Sequence, residues 1–482
     1  MPENGNYING KWTASSGGTY DQCNPADLTE VTGQWPKSTV AETRLAIEAA
    51  ENAFESWSGL TVFQRAEYLT RAVSLMKDRV DAIAEIITAE NGKTLNESKM
   101  EINAAIIEAE FQINEGLRLG GEIMPSRQDG VLAYTIRRPL GVVSVICPWN
   151  FPFNVPGRKV TPALISGNTC VMKPANLTPG TGAEFVKLFE DAGLPPGVLN
   201  FISGSGAVVG EELVVNPAIK AISFTGSTEV GMGIHKKAAD NLTRTQLEMG
   251  GKNPLVILAD GDLEAAANAA ATAAYMCAGQ WCTSTSRMIV EKDVAPEVLE
   301  MIRRQVQKMV IGRGTDPKTT MGPVCGKSQY NDIAAGIEKG KAEGAMFVMG
   351  GSKMTDSEFA KGCYIEPTVF TGVTTEMFLA QEEIFGPVLS IMEADNFEQA
   401  VEMANAVRFG LASSIYTRDI QKAMTFVEKS DVGLTHVNMP TAHKEPQLTF
   451  GGVKFSGCGL PEAGHSGIEF FTEHKTAYIK YR

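Results

Sequence analysis

What this 482-residue chain lacks narrows its function before any motif is considered. No stretch approaches the ~20 consecutive apolar residues that span a bilayer, so no transmembrane segment is expected. Neither a CxxC nor an HExxH pattern occurs, and the eight cysteines and five histidines are scattered, so no metal site is expected. Scattered cysteines in a long chain fit a reducing compartment better than a disulfide framework. Lys and Arg form no stripe, and the formal net charge is −13, which argues against nucleic acid or a membrane surface as partner. The start, Met1-Pro2-Glu3-Asn4-Gly5, has no basic end leading into an apolar run, and a cytoplasmic protein is expected. No internal repeat or low-complexity linker breaks the chain.

A single core stops growing near 250–300 residues, so a chain of this length divides into two or three lobes. Phe63, Ala66, Leu69, Ala72, Val73, Met76, Val80, Ile83 and Ile87 recur at three- and four-residue steps, which predicts amphipathic helices with these residues on one face. Polar and apolar residues alternate over Val131 to Arg138, as in a half-exposed strand suited to an arm at a subunit contact. From Gly141 strand-like runs (Val142 to Cys147, Thr169 to Lys173, Val198 to Ile202, Ala221 to Phe224) alternate with helix-length segments such as Thr181 to Glu190 and Thr228 to Ala238. That alternation predicts an α/β fold with a parallel sheet covered on both faces. A second α/β series begins near Pro254-Leu255-Val256-Ile257-Leu258, with the lobe boundary near Met249. The apolar end segment, Phe470 to Tyr478, is expected to pair with another subunit.

Three motifs carry chemistry: Pro148-Trp149-Asn150-Phe151-Pro152, Leu247-Glu248-Met249-Gly250-Gly251-Lys252-Asn253-Pro254, and Gly279-Gln280-Trp281-Cys282. Cys23, Cys147, Cys170, Cys277, Cys325, Cys363 and Cys458 read as inert small hydrophobes. Cys282 stands apart through its company. In this order, and with Glu382-Glu383-Ile384-Phe385-Gly386-Pro387 and Phe450-Gly451-Gly452-Val453-Lys454-Phe455-Ser456-Gly457 downstream, the chain resembles the aldehyde dehydrogenase superfamily almost end to end. The resemblance implies a Rossmann-type cofactor-binding domain (1–120 and 141–248), an α/β catalytic domain (249–435) and a small β oligomerisation arm (121–140 and 465–482) in a homodimer or homotetramer.

Two glycine loops compete for a dinucleotide phosphate. Gly204-Ser205-Gly206-Ala207-Val208-Val209-Gly210 has one residue too many for the Rossmann fingerprint and reads as a plain turn. Phe224-Thr225-Gly226-Ser227-Thr228-Glu229-Val230-Gly231 is similar to the longer loop of aldehyde dehydrogenases. The resemblance then places Lys173 on the adenosine ribose, Gly226 and Ser227 on the pyrophosphate, and Glu383 and Phe385 on the nicotinamide side of NAD or NADP. Asn176 stands where a glutamate commonly holds both ribose hydroxyls, so use of both cofactors or a lean to NADP is expected.

The resemblance makes Cys282 the nucleophile, Asn150 with the Cys282 N–H the oxyanion donors, and Glu248 the base that activates water against a thioester. A thiol of ordinary pKa is a few per cent thiolate at neutral pH, so the site is expected to favour ionisation. Alone, Asn150 would read as a helix cap and Glu248 as a solvated carboxylate. Glu248 separates the chain from the CoA-acylating branch. Arg158, eight residues after Asn150, resembles the carboxylate-binding arginine of succinate semialdehyde dehydrogenases, although their second arginine is replaced by Met276. The segment Asn438 to Phe450 looks like that of 2-oxoglutarate semialdehyde dehydrogenases. Phe151, Trp281, Thr283, His443 and Phe450 complete the expected substrate pocket. A small anionic semialdehyde is the expected substrate; the alternatives are a sulfonated aldehyde, a broad-specificity enzyme or a catalytically silent relative.

Overall fold

A computed structural model describes residues 4–482; Met1 to Glu3 of the amino-terminal reading lie outside the described residues. The alternating strands from Gly141 onward form a sheet in the order Lys11–Thr13, Asn6–Ile8, Leu199–Phe201, Thr169–Lys173, Val142–Ile146, Ile219–Thr225, Arg244–Glu248 and Gly457–Cys458. Its five strands between Leu199–Phe201 and Arg244–Glu248 run parallel, and both faces are covered, which is why their side chains are buried almost without alternation. Register aligns Ile146 with Lys173 and Phe224, and Thr225 with Glu248, so Lys173, Thr225 and Glu248 lie together along the carboxyl-terminal crest. Ligands of open α/β sheets bind at that crest.

A second sheet runs Met346–Met349, Thr368–Thr371, Val388–Ala394, Thr285–Glu291, Asn253–Ile257, Ala412–Tyr416 and Leu434–Val437, parallel except at its first pair. The change of sheet falls between Glu248 and Asn253. After Val437 the chain returns, and Gly457–Cys458 pairs with Leu247 and Glu248 of the first sheet.

The amphipathic periodicity resolves into helices Val62–Asp78 and Val80–Asn91, the first started by a Thr61–Gln64 capping box. Phe63 departs from the expected face: it sits in the first turn and is 65 % exposed. Thr472–Lys480 pairs along one edge with Val131–Pro139 of the same chain, antiparallel over nine residue pairs. That strand pairs with Ile123–Met124 on its other side, leaving one edge of Thr472–Lys480 open. Gly204 to Gly210 is not a plain turn. It follows the strand Leu199–Phe201 and winds into a π-turn, Gly206–Gly210, that continues as the helix Glu211–Val215.

Candidate active site

Cys282 lies in a loop whose shape is set upstream. The alanine-rich helix Leu263–Tyr275 ends, and Cys277 and Ala278 follow with positive φ of 52° and 53°. Gly279 (φ 71°) completes the turn; a Cβ there would meet the Gly386 carbonyl oxygen at 2.1 Å, so only glycine fits. Asn253 then ties the loop down, its amide donating to the Cys282 carbonyl at 2.8 Å and the Ser284 carbonyl at 2.8 Å.

The Cys282 loop, the crest residue Glu248 and the Asn150 loop converge on one cavity of ≈ 130 Å³, which Phe151, Arg158, Trp281, Thr283 and Phe450 also line. Asn150 is buried and does not cap a helix: the following helix, Asn154–Ile165, is entered through Phe153, and the Asn150 amide donates to the Gln280 carbonyl at 3.2 Å. A side-chain amide has two N–H groups, so one remains for a ligand. Phe151 and Trp281 rings sit 5.3 Å apart, and the Thr283 carbonyl accepts from Thr441 at 2.7 Å.

Beneath Asn150 is a buried clamp. Lys93 pairs with Glu101 at 2.7 Å, donates to the Asn150 carbonyl at 2.7 Å and lies 4.2 Å from the Phe151 ring centre. Glu101 also accepts from the Phe153 and Asn154 N–H groups at 2.8 and 3.1 Å, and Glu97 accepts from the Cys277 N–H at 2.6 Å. One helix, Leu95–Gly116, thus fixes both loops. No motif marks these acids, although Glu97, Glu101 and Glu108 repeat at four- and seven-residue steps on the face that carries Ile102, Ala105 and Ala109. Carboxylates on an apolar helical face are themselves a signal, since they are rarely buried unless paired.

The charges around the cavity are mutually engaged. Arg158 Nε meets Glu108 at 3.2 Å, its Nη1 meets Glu462 at 3.5 Å, its Nη2 meets Asn154 at 2.8 Å, and it stacks 4.5 Å from the Phe450 ring centre. Lys159 is held by Glu462 and by Ser223 at 2.9 Å. Burial opposes ionisation of Glu108, yet Arg158 and Lys444 hold its carboxyl down at about 2. Glu248 has the opposite fate: burial, with Glu462 adding to it, raises its pKa well above the usual carboxylate range, and its Oε2 has no partner among the described residues.

Cys282 does not meet the expectation of an easily ionised thiol. Burial pushes it up to about 12; Arg158 and Lys444 pull against this, while Glu248 and Glu383 push further. The physical reason is that the nearby cations already face carboxylates, so little positive potential is left for a thiolate. His443 lies elsewhere than expected: it lines an adjoining cavity of ≈ 350 Å³ with His436, and its place at the Cys282 cavity is taken by Lys444, which the motif reading passed over.

The residues expected to hold a dinucleotide lie around the crest and in separate cavities. Ser227 caps the helix Thr228–Ala238, and Gly226 donates to the Glu248 carbonyl at 3.0 Å, so the helix start opens beside the crest. First-turn N–H groups are the donors a pyrophosphate needs. Asn176 lines a cavity of ≈ 610 Å³ with Tyr20, Lys37, Gly204, Ser205 and Val208. Lys173 is buried at the end of its strand, its amine lowered by burial to about 8 and bonded to the Pro174 carbonyl at 3.0 Å. Glu383 accepts from the Gly251 N–H at 3.0 Å under Gly250, where a Cβ would come within 2.0 Å of its carboxylate; burial raises its pKa to about 7. Phe385, in the left-handed region at φ 54°, packs edge-on to Trp149 at 5.4 Å. These residues fit a dinucleotide: a helix start for the pyrophosphate, and a lysine and a carboxylate for ribose hydroxyls.

The sequence profile of the aldehyde dehydrogenase family matches residues 12–477. The chain belongs to the aldehyde dehydrogenase family. It is therefore an oxidoreductase acting on aldehydes, with NAD(P) as cofactor. It is 41 % identical over 476 residues to the alpha-ketoglutaric semialdehyde dehydrogenase of Bacillus subtilis, covering 98 % of each chain. It is 39 % identical over 471 residues to the 2,5-dioxopentanoate dehydrogenase of Saccharolobus solfataricus, covering 97 % of this chain and 98 % of that one. Among solved aldehyde dehydrogenases, the betaine aldehyde dehydrogenase of Staphylococcus aureus in complex with NAD+ superposes with a TM-score of 0.97 at 34 % identity, covering 100 % of this chain and 95 % of that one. An NADP-dependent enzyme of E. coli superposes with a TM-score of 0.96 at 34 % identity, covering 99 % and 98 %.

Proposed function

We propose that this aldehyde dehydrogenase oxidises a small dicarboxylic semialdehyde, of the 2,5-dioxopentanoate or succinate semialdehyde type, to the diacid. The observation that carries the reading is a buried guanidinium, Arg158, in the wall of the same cavity as Cys282. Glu108, Glu462 and Asn154 take three of its five N–H groups, and a substrate carboxylate takes the two that remain. Relatives named for 2-oxoglutarate semialdehyde support the same class.

In this reading Cys282 loses its thiol proton to solvent, the thiolate forms a bond to the aldehyde carbon, and the carbonyl π pair moves to the oxygen, which becomes an anion. The spare Asn150 N–H and the Cys282 backbone N–H receive that anion, each such donor being worth ~2.7–4 kcal/mol. Bound NAD(P) supplies the hydride acceptor; Gly226 and Ser227 hold its pyrophosphate, Lys173 and Asn176 its adenosine ribose, and Glu383 and Phe385 its nicotinamide end. A thioester on Cys282 remains. Glu248, whose raised pKa makes it a stronger base than an ordinary carboxylate, takes a proton from water as that water attacks the thioester carbon. Cys282 leaves as thiolate and the acid is released. The lack of a carboxylate at position 176 to repel a 2′-phosphate supports use of NADP as well as NAD. The domains are read as 1–120 with 141–248 for cofactor and 249–435 for catalysis. Residues 121–140 and 465–482 form the arm of a cytoplasmic homodimer or homotetramer, a role the open edge of Thr472–Lys480 supports.

The test is kcat/KM for 2,5-dioxopentanoate and succinate semialdehyde against neutral aldehydes of equal length, in the native enzyme and in Arg158→Met. The acidic-over-neutral ratio should favour the acids and fall about ten- to a hundredfold in the variant, the worth of one charge-assisted hydrogen bond. A native enzyme without that preference, or a variant losing both classes equally, would overturn the anionic reading.

A further inference from the structure

Lys444 occupies a place that no other cation of the pocket shares. It lies in the wall of the Cys282 cavity and of the adjoining ≈ 350 Å³ cavity, so it stands between the two. Its side chain keeps 25 % exposure, whereas Arg158 keeps 6 % and Lys159 none. Its ammonium bonds Glu108 and, at 3.1 Å, Asn154 Oδ1, the carboxylate and amide that also hold Arg158. The two cations lie by the same Phe450 ring, at 4.5 Å for Arg158 and 5.9 Å for Lys444.

Donor bookkeeping shows what is left over. A guanidinium has five N–H groups and an ammonium three. Among the described residues Arg158 spends three and Lys444 two. Three charged donors therefore remain on two side chains that line the same cavity as Cys282. A carboxylate has about four acceptor positions and no donor.

We propose that Lys444 is the second cation that binds the remote carboxylate of the substrate, acting beside Arg158 and setting preference for acidic aldehydes. It supplies from the segment before Phe450 the charge that Met276 does not. The inference rests on the anionic-aldehyde reading. His436 and His443 line the adjoining cavity together with Lys444.

Lys444→Gln keeps a donor and removes the charge; Lys444→Arg keeps both. The acidic-over-neutral ratio of kcat/KM should fall about ten- to a hundredfold in Lys444→Gln, through KM more than kcat, and recover in Lys444→Arg. A second readout needs no turnover: 2-oxoglutarate, the diacid product, should protect Cys282 of the native enzyme from iodoacetamide, and protect Lys444→Gln at least tenfold less well at equal concentration. Thermal unfolding of each variant is measured alongside, and if Lys444→Gln does not fold, the protection assay on Lys444→Met decides. An unchanged ratio with unchanged protection, in a native enzyme that does prefer acids, overturns the role of Lys444 alone. A native enzyme without that preference overturns the anionic reading on which it rests.

Discussion

The two sides of Cys282 are built on opposite principles. Towards the substrate, the walls are full of charge: Arg158, Lys159, Lys444, Glu108 and Glu462 are joined in one buried network, and Lys93 with Glu101 forms a second. Towards the cofactor, the chain offers a helix start at Ser227 and separate buried groups, Lys173 bonded to a backbone carbonyl and Glu383 to a backbone N–H, in place of a linked charge network. Charged side chains give selectivity between substrates that differ in charge, because an unpaired buried ion is heavily penalised. Backbone N–H groups suit a ligand that every member of the family shares. The price of the first design falls on Cys282, since cations committed to carboxylates do little for a thiolate.

That contrast breaks first at the thiol. With its pKa raised to about 12, the thiolate fraction of Cys282 rises tenfold per pH unit throughout the range below that value. Iodoacetamide labelling of Cys282 in the cofactor-free enzyme, followed by peptide mass spectrometry, should therefore accelerate about a thousandfold from pH 7 to pH 10 without a plateau. Arg158 and Lys444 favour the thiolate, and Glu248 and Glu383 oppose it as they ionise. A plateau below pH 9 would mean that the charge network serves the thiolate after all.

The next largest effect concerns the clamp. Lys93→Met leaves Glu101 as an uncompensated buried charge, which costs about 3–5 kcal/mol. The urea midpoint of unfolding should drop accordingly, and activity measured well below that midpoint should also fall, because Asn150 loses the ammonium that fixes its carbonyl. If stability changes by less than about 1 kcal/mol, the pair is not the support described.

The smallest effect lies on the cofactor side. Asn176→Glu places a carboxylate beside the ribose, where it accepts from both hydroxyls and repels a 2′-phosphate, so the NAD-over-NADP ratio of kcat/KM should rise about tenfold. An unchanged ratio would assign cofactor choice to other residues of that cavity, Lys37 among them.

The sequence was most legible where chemistry and periodicity coincide. Strands such as Val142–Ile146 and Thr169–Lys173 are continuous apolar runs because they are buried on both faces, and they were placed within a residue of their ends. Cys282, Glu248, Asn150, Arg158 and Phe450 lie on one cavity, as their motifs imply. What escaped was long-range pairing. Lys93 and Glu101 lie eight positions apart in sequence, but their link to Asn150 crosses 57 positions; Lys444 meets Glu108 across 336. No spacing rule connects such residues. Lys444 escaped for a related reason, since neighbouring residues in an irregular segment line different cavities and no period tells which. The pairing of Thr472–Lys480 with Val131–Pro139 was not legible because a strand pattern fixes which face is apolar and leaves its pairing open.

The central claim is that a thioester on Cys282 is resolved by water activated at Glu248. Glu248→Gln, mixed with NAD(P) and a semialdehyde in stopped flow, tests it most directly. About one equivalent of reduced cofactor per active site should form in the first turnover and then stall, with mass spectrometry locating the acyl group on Cys282. A slow first turnover with no acyl adduct, or steady turnover at the native rate, would contradict it.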